Sequence, residues 1–420
     1  MRALVLVRLA ARSLGRNTRR SLLTSAAMVL GLALLIFSRA LAEGGHEQWI
    51  ESAVRLGVGH VAVQAPGYLE TGRIEHRLDS DAVTRIQQAI AGLPPEAGLR
   101  TWAPRLTANG LASSAASAIP VRIEGVDPSM EAEFSGFADK LVDGRYLEPD
   151  DRLHAFVGVE LARRLDLEVG NRFVLTAQGA SGDVEGQLVR VAGIFRTAVA
   201  ELDEGLVHIP IETARSWLGA PGAATTVALL LDTSLGTDPA RVALSDRLDD
   251  DPGIRVLGWR ETAPDLDSAV RIDDYGDWIF HTILFAIITL AILNAVLMAV
   301  LGRRREFGIL QAMGLTGAQT GFVVFLEGLF LTAASGIVGM ALGFVVTWGL
   351  FRDGLDFSAL MSTDMSFSGS VIDPVIVPEF HFTQVLMSLY SILVIGTIAS
   401  FYPALRAARL DAADAMKFEQ

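Results

Sequence analysis

Residue types that carry covalent or metal chemistry are scarce in this sequence. There is no cysteine, which removes thiol nucleophiles, thiolate zinc sites, disulfides and lipid attachment through cysteine. The seven histidines (His46, His60, His76, His154, His208, His281, His381) are scattered, with no HxxxH or glutamate-partnered pair. His46-Glu47 starts like a zincin motif, but Ile50 stands where the second histidine belongs. No GxSxG elbow occurs. Gly57-Val58-Gly59-His60-Val61-Ala62 fits the loose dinucleotide pattern GxGxxA, without a predicted strand before it or a helix after it. Asp249-Asp250-Asp251 and Asp273-Asp274 could attract a cation but read better as solvated loop charge. The two lysines, Lys140 and Lys417, both lie outside any GxxxxGK[ST] loop. The chain is therefore expected to have no catalytic, cofactor-binding or metal site, and any energy must arrive from a partner.

What such a chain does depends on where its elements lie. Its 420 residues are 51% hydrophobic and 20% charged, with a mean hydropathy of +0.39, more apolar than a water-soluble globule. Four stretches have the roughly 20 apolar residues that cross a bilayer: 21–41, 278–301, 322–351 and 385–405. Arg2, Arg8, Arg12, Arg16, Arg19 and Arg20 precede the first; Arg303, Arg304 and Arg305 follow the second; Arg406, Arg409 and Lys417 follow the fourth. Residues 43–277 hold 38 acids against 21 bases, and 352–384 hold five against one. By the positive-inside rule, residues 1–20, 302–321 and 406–420 face the cytoplasm, while 42–277 and the loop 352–384 face outward. The net charge of −13 argues against nucleic acid.

The first span also resembles a cleavable signal peptide ending at Ala40-Leu41-Ala42, but its apolar run exceeds the usual ~7–15 residues, so an uncleaved anchor is expected. Arg8, Arg12, Arg16 and Arg19 recur at helical spacing, which predicts an amphipathic segment over 1–20 on the inner leaflet.

The outward region alternates short strand-like and helix-like stretches. Strands are expected at 60–64, 101–111, 120–126, 172–177, 188–195, 205–209, 225–231 and 254–259. Helices are expected at 81–90, 160–165, 211–218 and 239–248. With dense Pro/Gly punctuation, this is an α+β pattern of mixed or antiparallel strands.

The link 302–321 is the candidate partner site. Phe307, Leu310 and Met313 recur at i, i+3 and i+6 beside a basic cluster, giving an apolar stripe able to enter a groove on another protein. Gly314 is a natural helix stop, and Thr316-Gly317-Ala318-Gln319 matches a capping box opening the third span. On this reading, aspartate at positions 307 and 310 would abolish partner binding. In the third span, Glu327 is the only acid and is expected to meet a cationic or polar group, while Gly339 and Gly343 form a GxxxG pair for close helix approach.

The run RRREFGILQAMGLTGAQ (Arg303 to Gln319) closely resembles the coupling-helix signature of the FtsX-like/MacB-like ABC transporter permeases. Glu327 with Gly336, Gly339 and Gly343, and the ending Tyr402-Pro403-Ala404-Leu405-Arg406-Ala407-Ala408-Arg409-Leu410-Asp411, are similar to later parts of that family; Ala412 replaces its usual proline. Gly125-Val126-Asp127-Pro128, Gly144-Arg145-Tyr146-Leu147, Val157-Gly158-Val159-Glu160-Leu161-Ala162, Leu167-Glu168-Val169-Gly170-Asn171 and Gly193-Ile194-Phe195 look like its periplasmic core, with Asn171 for the commoner aspartate.

The resemblance implies an α-helical membrane protein with four transmembrane helices (1+3) and a large α+β periplasmic domain, in the bacterial inner membrane. It implies a dimer with a second permease copy or sister permease, cytoplasmic ABC ATPase subunits that bind ATP and Mg, and a periplasmic carrier or adaptor. Arg305, Glu306, Phe307, Gly308, Ile309, Leu310, Met313 and Gly314 are the implied ATPase-coupling residues. Glu327, Gly339 and Gly343 are implied in helix packing or gating.

A permease of this length without a fused ATPase resembles the lipoprotein-releasing (Lol-type) subunits. MacB-like export and FtsX-like activation of a cell-wall hydrolase are the alternatives. For lipoprotein release, an acyl path is expected between the first and second spans, with Leu35, Ile36, Ile279, Ile283, Phe285 and Ile287 chosen by depth. The loop 352–384, with Met361, Met365, Phe367, Phe380 and Phe382, is expected to pack on the outward domain or on substrate.

Overall fold

A computed structural model describes residue 8 and residues 18–248, 251–359, 366–367, 370–371 and 374–409. Nearly all of the expected amphipathic segment 1–20, the tail from 410 onward, and Met361 and Met365 lie outside the described residues. The chain divides into a helical unit (Met1–Gly45, Ile272–Asp356, Val375–Gln420) and an α+β unit (His46–Arg271, Phe357–Pro374).

Four long helices carry the apolar stretches: Thr18–Ala53, Pro264–Gly302, Gly317–Phe351 and Phe382–Ala408. The first two, of 36 and 39 residues, would extend roughly 54 and 58 Å at 1.5 Å per residue, well beyond a hydrocarbon layer of about 30 Å. Their polar extensions explain the excess, with Glu43, Glu47 and Glu51 in the first and five aspartates between Asp265 and Asp277 in the second. Pro264 sits at the first position of its helix, where no N–H is needed. The third helix opens with the expected capping box: Thr316 Oγ1 accepts from Gln319 N at 3.3 Å, and Gln319 Oε1 accepts from Thr316 N at 3.0 Å.

Small residues bring the third and fourth helices together. Gly328 packs on Ser400, Gly396 on Thr332, and Gly321 on the backbone at Ala404. The core of this unit joins Met28, Leu32, Leu35 and Ile36 of the first helix to Ile288, Ile292 and Val296 of the second.

One sheet of the α+β unit has ten strands: β1 (Val61–Gln64), β2 (Leu99–Ser113), β3 (Ala118–Val126), β4 (Leu141–Gly144), β5 (His154–Gly158), β6 (Arg172–Gln178), β7 (Val184–Phe195), β8 (Leu206–Pro210), β9 (Thr226–Leu231) and β10 (Arg255–Gly258). They are hydrogen-bonded in the order β10-β1-β9-β2-β3-β8-β5-β7-β4, and β6 joins β7 back to β2. Six strands (β2, β3, β8, β5, β7, β6) therefore form a closed circuit, with β3/β8 and β5/β7 parallel and the other pairs antiparallel. β2 serves two neighbours on one edge, pairing with β9 over 99–105 and with β6 over 110–113. Gly110 permits the second pairing, since a Cβ there would overlap the Thr176 carbonyl.

Each part has its own core. Leu106, Ile123, Leu175, Val191 and Val207 fill one, and Val63, Ile86, Val227, Leu229 and Leu244 fill the other. All eight expected strands and four expected helices are present. β4, β5 and a helix at Pro128–Ser135 were not expected. The GxGxxA segment lies between a helix and a strand, in the reverse of the dinucleotide order.

The end of the first long helix is buried in the α+β unit. Ile50, Ala53 and Val54 pack with Ala103, Phe134, Ala228, Leu230, Trp259 and Leu266. After Ala53 the chain widens into a π turn over Val54–Val58, and Gly57 takes an extended φ of 171°. Arg105 of β2 captures this exit. Its Nη1 donates to the Gly57 carbonyl, while Nε and Nη2 donate to Glu131 at 3.0 and 2.7 Å. The guanidinium lies 4.8 Å from the Phe134 ring centroid. Arg105 and Glu131 are 2% and 0% exposed, so losing one partner would strand a buried charge, at a cost of about 3–5 kcal/mol. Close by in sequence, Glu47 accepts from Ser234 N at 2.6 Å and from its hydroxyl at 2.5 Å.

His60 follows the exit and is fully buried. Its Nδ1 accepts from Leu231 N at 3.1 Å, so the neutral ring carries its proton on Nε2. Burial lowers its pKa from 6.5 to about 4, with Glu51 opposing and Arg55 reinforcing the shift. Between these values the unfolded chain binds a proton that the folded chain refuses. His60 thus leaves stability intact above about pH 6.5 and erodes it as pH falls toward 4. His60→Asn keeps an acceptor for Leu231 N without titrating. Denaturant unfolding of the full chain in detergent is expected to show the variant losing about 2 kcal/mol less than the parent between pH 7 and pH 5.

Candidate functional site: the intervening helix and its lock

Between the second and third long helices, Arg304–Ala312 forms a separate nine-residue helix. Gly314, at φ 103°, stops it, with Gly314 N donating to Gln311 O at 2.9 Å and Leu315 N to Leu310 O at 3.1 Å. At Phe307 and Leu310 the apolar stripe faces the chain's own bundle and not outward toward a partner. Phe307 is 1% exposed and belongs to the core of the helical unit, with Leu310 packed beside it. These two side chains hold the helix to its own bundle and cannot enter a partner's groove. Gly308 is buried with them. The face left open carries Arg305, Ile309, Ala312 and Met313, with Ile309 47% and Met313 69% exposed.

Arg303 fixes this helix in place. Its Nε donates to Glu306 at 2.9 Å, and its Nη1 donates to both carboxylate oxygens of Glu327 at 3.0 and 3.1 Å. The guanidinium lies 5.3 Å from the Phe307 ring centroid. Glu327 thus has the cationic partner expected for it, and that partner ties the third long helix to the start of the intervening one. Both side chains are mostly withdrawn from solvent, where a paired guanidinium and carboxylate gain more than a surface pair does.

Gly339 and Gly343 meet the first long helix of the same chain. A Cβ on Gly339 would stand 2.9 Å from the Val29 carbonyl, and one on Gly343 would stand 3.0 Å from Ala33 Cα. The six proposed acyl-path residues do not share one surface. Leu35 and Ile36 are buried in the bundle core, whereas Ile279, Ile283 and Ile287 are exposed at i, i+4 and i+8, with Phe285 half-buried and packed on the core. The cleft that does border Ile36 opens toward Phe380, His381, Val385 and Ser388, at the start of the fourth helix. There Glu379 N donates to Ala40 O at 2.8 Å, and His381 Nε2 lies 3.2 Å from Glu43. Depth along a helix does not fix which way each side chain points around it. The first and second helices meet in a polar contact, His281 Nε2 to Ser38 Oγ at 3.2 Å, that the sequence did not signal.

Residues 21–246 match the family model of the MacB-like periplasmic core domain, and residues 278–412 match that of the FtsX-like permease C-terminal region. Over 313 residues the chain is 25% identical to the lipoprotein-releasing system transmembrane protein LolC of Xylella fastidiosa (strain 9a5c), covering 71% of this chain and 73% of that one. It is 23% identical to the lipoprotein-releasing system transmembrane protein LolE of Haemophilus influenzae, covering 93% and 92%. The macrolide export ATP-binding/permease protein MacB of Shewanella oneidensis is 20% identical, covering 98% of this chain and 60% of that one. Among solved structures, the periplasmic region of MacB from Actinobacillus actinomycetemcomitans aligns with a TM-score of 0.37 at 10% identity, covering 52% and 94%.

The glycine contacts make a stability prediction. Gly339→Ala is expected to destabilise the chain in detergent by about 1–3 kcal/mol, because backbone must move to admit the methyl group. Gly349 has open space at its Cβ position, so Gly349→Ala should be neutral or stabilising by up to about 1 kcal/mol through helix propensity. Thermal unfolding of both variants checks the pair.

Proposed function

The chain belongs to the FtsX-like ABC transporter permeases with a MacB-like periplasmic core, and from that premise we propose that it couples ATP hydrolysis on partner subunits to motion of its α+β unit, releasing lipoproteins from the inner membrane. In this reading the intervening helix and both termini face the cytoplasm and the α+β unit faces the periplasm, as the distribution of arginines supports. The permease works as a dimer, with itself or with a sister permease, and a periplasmic carrier receives the cargo.

The observation that carries the reading is the Arg303 lock. A push on the exposed face of the intervening helix reaches Arg303 through Glu306 and the Phe307 ring, and reaches the third long helix through Glu327. The partner ATPase therefore docks on Arg305, Ile309, Ala312, Met313 and Gly314, while Glu306, Phe307, Gly308 and Leu310 transmit the load. Gly339 and Gly343 pass it on to the first long helix, which supplies residues to both units. ATP and Mg belong to the partner, since both lysines lie outside any Walker loop.

Lipoprotein cargo is supported by relatives named as lipoprotein-releasing over most of their length. The relative named for macrolide export supports a second reading, in which the cargo is a small molecule. Proteoliposomes holding the permease, its ATPase and an acylated lipoprotein are expected to release the lipoprotein to a soluble carrier only with ATP. ATP-driven movement of a macrolide with no lipoprotein release would overturn the first reading in favour of the second.

The corrected stripe also changes which variants test docking. Ile309→Asp with Met313→Asp should leave a folded, monodisperse permease that retains less than a tenth of the co-purifying ATPase. Phe307→Asp should lower the yield of folded protein itself, because it buries a charge in the bundle core. Size-exclusion profiles and ATPase recovery separate the two outcomes.

A further inference from the structure

We propose that Arg105 is a positioning residue for force transfer, making the last turns of the first long helix a rigid part of the α+β unit. The inference rests on the permease reading above.

Three features distinguish this contact from ordinary core packing. Gly57 has left helical geometry, so without Arg105 its carbonyl would lack a helical donor. The guanidinium is planar and spends two N–H groups on Glu131 and one on Gly57, a directional constraint that adds to the non-directional apolar contacts of Ile50, Ala53 and Val54. Its two anchors come from different elements, β2 and the helix Pro128–Ser135, so the exit is referenced to both. Phe134 closes one face of the guanidinium. Glu47, clamped to Ser234 earlier on the same helix, resists rotation about the helix axis.

Stability alone does not account for a buried pair of this kind, because apolar residues of similar volume commonly replace one without loss of stability. What they cannot replace is the grip on the carbonyl. Arg105→Met with Glu131→Met keeps the volume and removes both charges. Arg105→Lys keeps a cation beside Glu131 but cannot reach the carboxylate fork and Gly57 together, and it serves if the double variant unfolds.

The absence of native cysteine allows clean labelling. Spin labels at Arg39→Cys and Glu185→Cys, in the permease–ATPase complex in nanodiscs, report helix-to-unit distances by pulsed electron spin resonance, without nucleotide and with vanadate-trapped ADP. The parent background is expected to shift between the two states. In the Arg105 variants the shift is expected to be lost or broadened, with ATP hydrolysis within about twofold of the parent and lipoprotein released per ATP reduced at least tenfold. Variants that are folded and shift as the parent does overturn this inference alone. A parent that does not shift overturns both this inference and the reading beneath it.

Discussion

A guanidinium clasped by a carboxylate and faced by an aromatic ring occurs at two structurally critical points of this chain. Arg105 holds Glu131 and lies over Phe134; Arg303 holds Glu327 and Glu306 and lies over Phe307. In each case the arginine sits where a long helix ends and another element takes over. A helix end leaves backbone carbonyls without partners and is the natural place for a chain to bend. Planar donors tied to a second element turn such an end into a fixed corner. These corners set where the long helices hand over to the next element.

Between the corners, the long helices meet by backbone approach rather than through polar side chains. Gly339 and Gly343 let the third helix lie against Val29 and Ala33, while Gly328, Gly396 and Gly321 do the same between the third and fourth. Lipid tails are as apolar as leucine, so close packing rather than hydrophobic burial holds such helices together. Interfaces built this way resist compression and leave few alternative arrangements.

Much of this was legible in the sequence, and the failures have physical causes. The four apolar stretches, the capping box at Thr316, and eight strand-like stretches set off by turn residues are local signals, and each is visible without its neighbours. β5 was overlooked because its apolar core, Ala155-Phe156-Val157, is too short for periodicity to register. The helix Pro128–Ser135 was hidden although Asp127-Pro128, with the aspartate side chain accepting from Ser129 N and Met130 N, is a helix start. The Phe307 stripe is visible in the sequence, whereas its neighbour, the core of its own bundle, is not. Periodicity shows that residues share a face and leaves open what covers that face. Arg105 and Glu131 carry no such signal: an isolated charge in a sequence suggests solvent, and only the fold brings the two together, 26 positions apart.

β2 has a further implication. Because one 15-residue strand borders both β9 and β6, the open sheet and the closed circuit share a wall. The two pairings use separate stretches of the strand, 99–105 and 110–113, and the strand between them runs through unbroken. With no cysteine in the chain there is no disulfide to staple the α+β unit, so the continuity of this one strand is what links the two parts of the sheet, and local opening in one disturbs the strand that the other pairs with.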